Sequence, residues 1–147
     1  MRKLLPPTLM LSCLIGMLAL HWLWPIAQLW SLPYNLIGLI PLGLGLALSA
    51  MAERQFKSAG ANVNTFDTPT CLVTEGLFKY SRNPMYLGLA LILVGVWILL
   101  GSVSPLVGIV GFILVTDQWY IAYEEQRLTE TFGQDYEAYQ RRTRRWL

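Results

Sequence analysis

Three short stretches of the 147-residue sequence gather the side chains that could do chemistry. The first is Lys79-Tyr80-Ser81-Arg82-Asn83-Pro84-Met85-Tyr86-Leu87-Gly88, in which Asn83 followed by Pro84 reads as a helix N-cap and a proline at the first helical position. A helix starting there presents backbone N–H groups and the positive end of its dipole, a ready site for a carboxylate or a phosphate. The plainer reading is that Asn-Pro only starts a helix, with Arg82 and Tyr86 as interfacial anchors. The second stretch holds Asp117, Tyr120, Glu124 and Leu128, spaced by three and four residues so that an α-helix would put them on one stripe, with Glu125 to one side. Acids beside so many arginines suggest a bound cation, although a solvated face would carry them too. The third stretch is Phe132, Gly133, Tyr136 and Tyr139, closing in Arg141-Arg142-Thr143-Arg144-Arg145-Trp146. Aromatics at 132, 136 and 139 share one face of a short amphipathic helix. The arginines and Trp146 suit an interface with anionic lipid, each basic residue worth about 1 kcal/mol there.

The elements that must position these groups are membrane spans. Hydrophobic residues make up 54% of the chain and charged ones only 14%, against about a quarter charged in soluble domains. No Asp, Glu, Lys or Arg lies between Lys3 and Glu53, or between Arg82 and Asp117. One transmembrane helix needs roughly 20 apolar residues, so each gap is long enough for a helical hairpin. Pro25 and Ser31-Leu32-Pro33 break the first gap, and Gly101-Ser102-Val103-Ser104-Pro105 breaks the second. The expectation is an all-α integral membrane bundle of about four transmembrane helices with a C-terminal amphipathic helix. A single domain covers 1–147, with spans near 8–30, 34–52, 84–100 and 105–123, a loop at 53–83 and a terminal segment at 124–147. Three spans plus a re-entrant segment is the alternative. An acid inside a span costs about 2.5–3.5 kcal/mol, so Asp117 is functional or paired if it lies within the last one, and snorkels beside Gln118 if it lies at the edge.

All 11 Lys and Arg fall at the N-terminus, in the middle loop and in the C-terminal segment, and the two hairpin turns have none. The positive-inside rule then makes both termini cytoplasmic. Small size and compact loops suggest a bacterial inner membrane. A signal peptide over Met1–Leu20 is disfavoured because no A-x-A-like site follows the apolar run. Cys13 and Cys71 suggest no disulfide framework, and with a single His there is no zinc spacing, so neither a metal nor a nucleic-acid partner is expected. Gly43-Leu44-Gly45 lies within a span without a preceding strand and suits helix packing rather than a dinucleotide loop.

In order along the chain, Leu72-Val73-Thr74-Glu75-Gly76-Leu77-Phe78-Lys79-Tyr80-Ser81-Arg82-Asn83-Pro84-Met85-Tyr86-Leu87-Gly88, then Glu124-Glu125-x-x-Leu128, then Phe132-Gly133-x-x-Tyr136-x-x-Tyr139 resemble the isoprenylcysteine carboxyl methyltransferase family. That family groups with the membrane phospholipid methyltransferases, and the likeness covers roughly residues 54–147. It implies an enzyme that uses S-adenosylmethionine in a membrane fold. Carried residue by residue, it implies a cofactor pocket of Asn83, Pro84, Tyr86, Gly88, Glu124, Glu125, Leu128, Tyr136 and Tyr139 around Arg82, closed by the C-terminal aromatic segment. Many members have His where this chain has Asn83, and eukaryotic members often carry basic residues where Asp117-Gln118-Trp119-Tyr120 stands.

Residue chemistry agrees with this reading. Glu124 or Glu125 could accept from an ammonium or ribose, and Tyr86, Tyr136 or Phe132 could flank an adenine or sulfonium, with a cation–π gain of about 0.5–2 kcal/mol. Arg82 could orient a carboxylate acceptor, while an amine or thiol acceptor would need a base such as Glu124 or Asp117. The expected activity is methyl transfer to a lipophilic small molecule or lipid, carboxylate O-methylation of an isoprenylcysteine-like molecule being favoured. Phospholipid amine N-methylation is the second reading. A non-enzymatic four-span transporter or assembly protein is the reading from another class, though such a transporter would place a charge deep in the bundle.

Overall fold

Pro6 and Pro7 open the first helix, α1 (Pro6–Leu23), where their missing N–H groups cost nothing. It ends two residues before Pro25, because a residue preceding proline is pushed out of the α region. The computed structural model describes residues 5–61 and 69–147; residues 62–68 of the expected loop at 53–83 and the basic Arg2 and Lys3 lie outside them. After α1, residues 24–33 run without helix to a 3₁₀ turn (Tyr34–Gly38) that leads directly into α2 (Leu39–Ser58). The first span is therefore shorter than the expected 8–30, and the second continues past 52 by more than a turn. A 3₁₀ turn (Gly76–Lys79) then precedes α3 (Pro84–Leu100), which starts at the expected Asn83-Pro84 step. The last span is one continuous rod of α4 (Leu106–Val115), a π turn (Thr116–Ile121) and α5 (Ala122–Phe132). Gly133, with φ of +50°, bends the chain into α6 (Gln134–Arg142).

Among the described residues, three helical rods are long and apolar enough to cross a membrane, and α3 is a shorter apolar one. With 17 residues, α3 reaches about 25 Å, just under the bilayer's hydrocarbon thickness of about 30 Å. It is the central helix, burying Tyr86, Ala90, Ile92 and Leu93. The chain is an all-helical integral membrane bundle whose outer surface is apolar: Leu23 is 83% exposed, Val107 68% and Leu44 59%. Such a surface suits lipid rather than water. Trp22 and Trp24 stand exposed at the end remote from the arginines, as interfacial tryptophans do. There residues 24–33 fold back over the α3–α4 turn, with Trp30 Nε1 donating to the Ile98 carbonyl at 2.6 Å and Leu29 N to that of Gly101 at 2.7 Å.

The α2–α3 interface explains two glycines that invited functional readings. A Cβ on Gly45 would come within 2.5 Å of the Gly88 carbonyl, and one on Gly88 would come within 2.8 Å of the Gly45 carbonyl and overlap the Ser49 hydroxyl. The two backbones touch, which is how helices without a hydrophobic driving force gain packing in lipid. Gly88 thus serves the helix pair rather than lining a pocket. Gly43 faces open space. Leucine at 45 should lower the thermal midpoint in detergent by the equivalent of about 1–3 kcal/mol or more, the ordinary cost of overpacking. Leucine at 43 should leave the midpoint unchanged.

Candidate functional site

The proline that opens α3, the middle of α5 and the first turns of α6 converge at the end of the bundle that carries the basic residues. They enclose a cavity of about 260 Å³. Its polar lining is Arg82, Asn83, Glu124, Glu125 and Arg127 with the rings of Tyr86, Tyr136 and Tyr139. Its apolar lining includes Leu5 just before α1, Pro6 and Pro7 at the start of α1, Phe56 of α2, and Leu72 and Val73.

Glu125 organises the polar side. Arg82 Nη2 donates to Glu125 Oε1 at 2.7 Å, Arg145 Nε donates to the same oxygen at 3.2 Å, and Arg145 Nη2 donates to Oε2. Arg145 Nη1 reaches on to Asp117 Oδ2 at 3.1 Å, and Trp146 Nε1 donates to Asp117 Oδ1 at 2.9 Å. The other Arg82 nitrogen, Nη1, is shared between the carbonyls of Gln140 and Thr143, each at 3.1 Å. Backbone and amide bonds run the same way, from Arg82 N to the Arg144 carbonyl and from Asn83 Nδ2 to that of Arg145. The last residues therefore form a strap laid against the turn that starts α3. Arg82 Nε is buried and makes no hydrogen bond.

Glu124 is held differently. The Tyr86 hydroxyl donates to Glu124 Oε1 at 2.7 Å, and the Tyr86 ring lies in a buried cluster with Tyr120 and Ile121 against which Trp146 packs. Tyr139 donates to the Phe78 carbonyl at 2.6 Å, which ties α6 to the 3₁₀ turn. Burial, then the nearby Glu125 charge, pushes the Tyr136 phenol up to about 12. Burial and the neighbouring Tyr136 raise Tyr139 further. Arg145 is raised as well, chiefly by its hydrogen bonds to Glu125. Both phenols stay neutral at any ordinary pH and can offer a ring face or a hydroxyl but not a charge.

Of the residues picked from the sequence, Arg82, Asn83, Pro84, Tyr86, Glu124, Glu125, Leu128, Tyr136 and Tyr139 line this cavity, while Asp117 and Gly88 do not. Asp117 leaves the stripe because the π turn takes an extra residue per turn and breaks the spacing that would align it with Glu124. It is bonded to Arg145 and Trp146, and not to Gln118. The acids at 117 and 125 are satisfied by the chain's own arginines, so they do not await an external cation. Arg145 and Trp146 turn inward rather than toward lipid, whereas Arg141, Arg142 and Arg144 remain exposed, Arg142 lying 5.8 Å from the Tyr139 ring centre. Asn83 begins the helix as expected, yet its side chain makes no cap and serves the strap instead. The sequence reading missed the lining by Leu5–Pro7 and Phe56, for which Pro6-Pro7 at a helix start was the one visible signal.

One consequence concerns alkaline stability. An unfolded tyrosine titrates at about 10 and Tyr136 at about 12, so the folded state keeps its proton longer. Stability should be intact below about pH 10 and fall as pH rises through that window. Tyr136→Phe should flatten the fall, as read from thermal midpoints in detergent across the series.

Comparison with known proteins places this arrangement. The family model described as phospholipid methyltransferase matches residues 34–135, which include α2, α3, the π turn and the glutamate pair. A Haemophilus influenzae protein without assigned function is 44% identical over 63 residues, covering 43% of this chain and the whole of that protein. The protein-S-isoprenylcysteine O-methyltransferase of Schizosaccharomyces pombe is 32% identical over 110 residues, or 72% of this chain. The chain spans 45% of that yeast protein's length. A model match over well more than half its residues, on an all-helical membrane bundle, makes this chain a member of the phospholipid methyltransferase family and a membrane methyltransferase.

Proposed function

We propose that the cavity binds S-adenosylmethionine on its polar side and brings a lipophilic acceptor to it from the apolar side. The observation that carries this reading is the convergence of residues 82–86 with residues 124–139 on one cavity that is also lined by the apolar residues Leu5, Phe56, Leu72 and Val73. The donor set fits the cofactor's functional groups. Glu124, oriented by the Tyr86 hydroxyl, can accept from an α-ammonium or a ribose. The unpaired Arg82 Nε is a buried donor for a carboxylate, and the start of α3 at Pro84 adds its dipole. Neutral Tyr136, and Tyr86 beside it in the lining, present ring faces to adenine or to a positive sulfur.

When bound, S-adenosylmethionine supplies a methyl group already activated on its sulfonium. The protein's part is to hold the acceptor in line with that methyl and to exclude water. A carboxylate acceptor asks only for orientation. Arg82 is available through Nε alone, its Nη atoms being committed to Glu125 and to the strap. An isoprenylcysteine-like carboxylate is the favoured acceptor, in line with the name of the yeast relative. A phospholipid amine is the second reading, favoured by the family description and by Glu124, the cavity acid placed to take a proton.

The cavity's end of the bundle is read as cytoplasmic from the positive-inside rule, with Arg141, Arg142 and Arg144 left to meet anionic lipid. The compact loops and the Haemophilus relative favour a bacterial inner membrane. Calorimetry with S-adenosylhomocysteine on the detergent-purified chain tests the reading. Saturable binding is expected, weakened about ten-fold or more in Glu124→Gln through loss of a charge-assisted bond. Equal affinity in that variant removes Glu124 from the pocket, and absence of binding in folded wild-type protein sinks the cofactor assignment.

A further inference from the structure

Outside the cavity, a second and more open groove runs between the last turns of α2 and the 3₁₀ turn at Gly76–Lys79. Gln55 clamps its two sides together. Gln55 Nε2 donates to the Glu75 carbonyl at 2.6 Å, and its Oε1 accepts from Leu77 N at 3.1 Å. Gly76, with φ of +59°, leaves room for that amide, which a Cβ would overlap. The clamp brings Arg54, beside Gln55, and Lys79, at the end of the turn, onto one groove with Met51 and Tyr80. Its lining holds these two cations and no acid, and Glu75 is exposed outside it. Among the described residues neither Arg54 nor Lys79 makes an ion pair, whereas the nearby Lys57 is already paired with Glu53.

Leading away from this groove, α2 turns an unbroken stripe outward. Ile40, Leu44, Ala47, Met51 and Arg54 recur at four- and three-residue steps and so share one face of the helix. All five are exposed, Ile40 and Leu44 at 59% each. From residue 40 to residue 54 the stripe runs about 21 Å, longer than one leaflet's hydrocarbon depth of about 15 Å.

We propose that the groove and the stripe together bind an anionic phospholipid, with Arg54 and Lys79 on its phosphate and an acyl chain along Ile40, Leu44, Ala47 and Met51. The shape is that of the ligand: two cations at one end of an apolar track. Tyr80, 74% exposed, stands where interfacial tyrosines do, and its hydroxyl can donate to a headgroup oxygen. Two unpaired cations favour an anionic headgroup over a zwitterionic one, whose own ammonium they repel. The same charges oppose a second copy of the chain on this stripe, because a parallel pair of such helices would set like charges against each other. The site is distinct from the cavity and rests on the membrane fold, not on the cofactor reading.

Native mass spectrometry of the full-length chain released from detergent counts bound lipids and any dimer, and thermal midpoints are read in parallel. The probes are dioleoylphosphatidylglycerol, dioleoylphosphatidylcholine and inorganic phosphate. Phosphatidylglycerol is expected to bind saturably, several-fold tighter than phosphatidylcholine, and to raise the midpoint where inorganic phosphate does not. Arg54→Gln and Lys79→Gln should each weaken that binding about five-fold, and the double variant about twenty-five-fold, the factor a basic residue contributes at an anionic membrane surface. Both side chains are exposed, so the ligand-free midpoint should hold. Arg141→Gln, at an exposed arginine outside the groove, should leave the binding unchanged. Where the double variant does not fold, the single variants decide. Wild-type affinity in the groove variants, or an equal loss in Arg141→Gln, shows general attraction to a basic surface and overturns the inference. Equal binding of phosphatidylcholine, an equal midpoint rise with inorganic phosphate, or a lipid-free dimer overturns it as well.

Discussion

Glu125 sits between two guanidiniums that come from opposite ends of the site, Arg82 at the start of α3 and Arg145 near the C-terminus. Taking these charges out of water costs several kcal/mol per ion, and only good geometry with further hydrogen bonds repays it. Arg82 meets that condition by spending its remaining Nη on two strap carbonyls, and Arg145 by spending its own on Asp117. Removing either of the nearly buried pair Arg82 and Glu125 strands a charge, which typically costs about 3–5 kcal/mol, whereas Arg145 and Asp117, each about a third exposed, cost less to remove. The cavity is lined from all three sides of this network: Pro84 and Tyr86 of α3, Glu124 and Leu128 of α5, and Tyr136 and Tyr139 of α6.

That convergence depends in turn on helices placed to within a few ångströms. The α2–α3 pair is set by backbone touching backbone at Gly45 and Gly88, a distance that no side chain can relax. The last span solves a different problem. Residues 106–132 form one rod, which must present Ile109 and Phe112 to the core and still turn both Glu124 and Glu125 into the cavity. A regular helix from 106 onward would align Asp117 with Glu124. The π turn at Thr116–Ile121 shifts the register instead, sending Asp117 to the strap and both glutamates inward. A π turn at such a place is where one is most often found, beside a working site.

What was legible in the sequence follows from how locally each feature is coded. The start of α3 was readable because Asn83-Pro84 acts through the residue's own backbone, and the hairpin turns were readable because Pro25 and Gly101 act the same way. The bundle was readable from the two charge-free stretches alone. Most of the cavity's polar wall was reached through the ordered motif set rather than through periodicity, since no spacing rule brings residue 82 to 125. The π turn was hidden because nothing in Thr116-Asp117-Gln118-Trp119-Tyr120 distinguishes five residues per turn from four. The inward turn of Arg145 was hidden for a second reason. An arginine run beside tryptophan looks the same whether it faces lipid or an internal carboxylate, and the choice is made by a partner twenty residues away.

The placement of the cavity follows from the physical demands of the proposed reaction. A charged, water-soluble donor and a lipophilic acceptor have no common solvent, so their meeting point has to lie where the bilayer's apolar phase ends. Residues 82–86 and 124–125 each lie within a turn or two of an uncharged stretch, which suits such a boundary. Methyl transfer from an activated donor asks for no metal and no protein nucleophile, only for orientation and dryness. Two buried phenols whose pKa values are raised, an apolar part of the lining and a carboxylate held by the Tyr86 hydroxyl contribute to those two things. The strap is bonded to Arg82 and Glu125, two of the residues that line the cavity. An in-line transfer requires a donor and an acceptor each held in one pose, and a network that fixes its own side chains supplies the rigid wall for that.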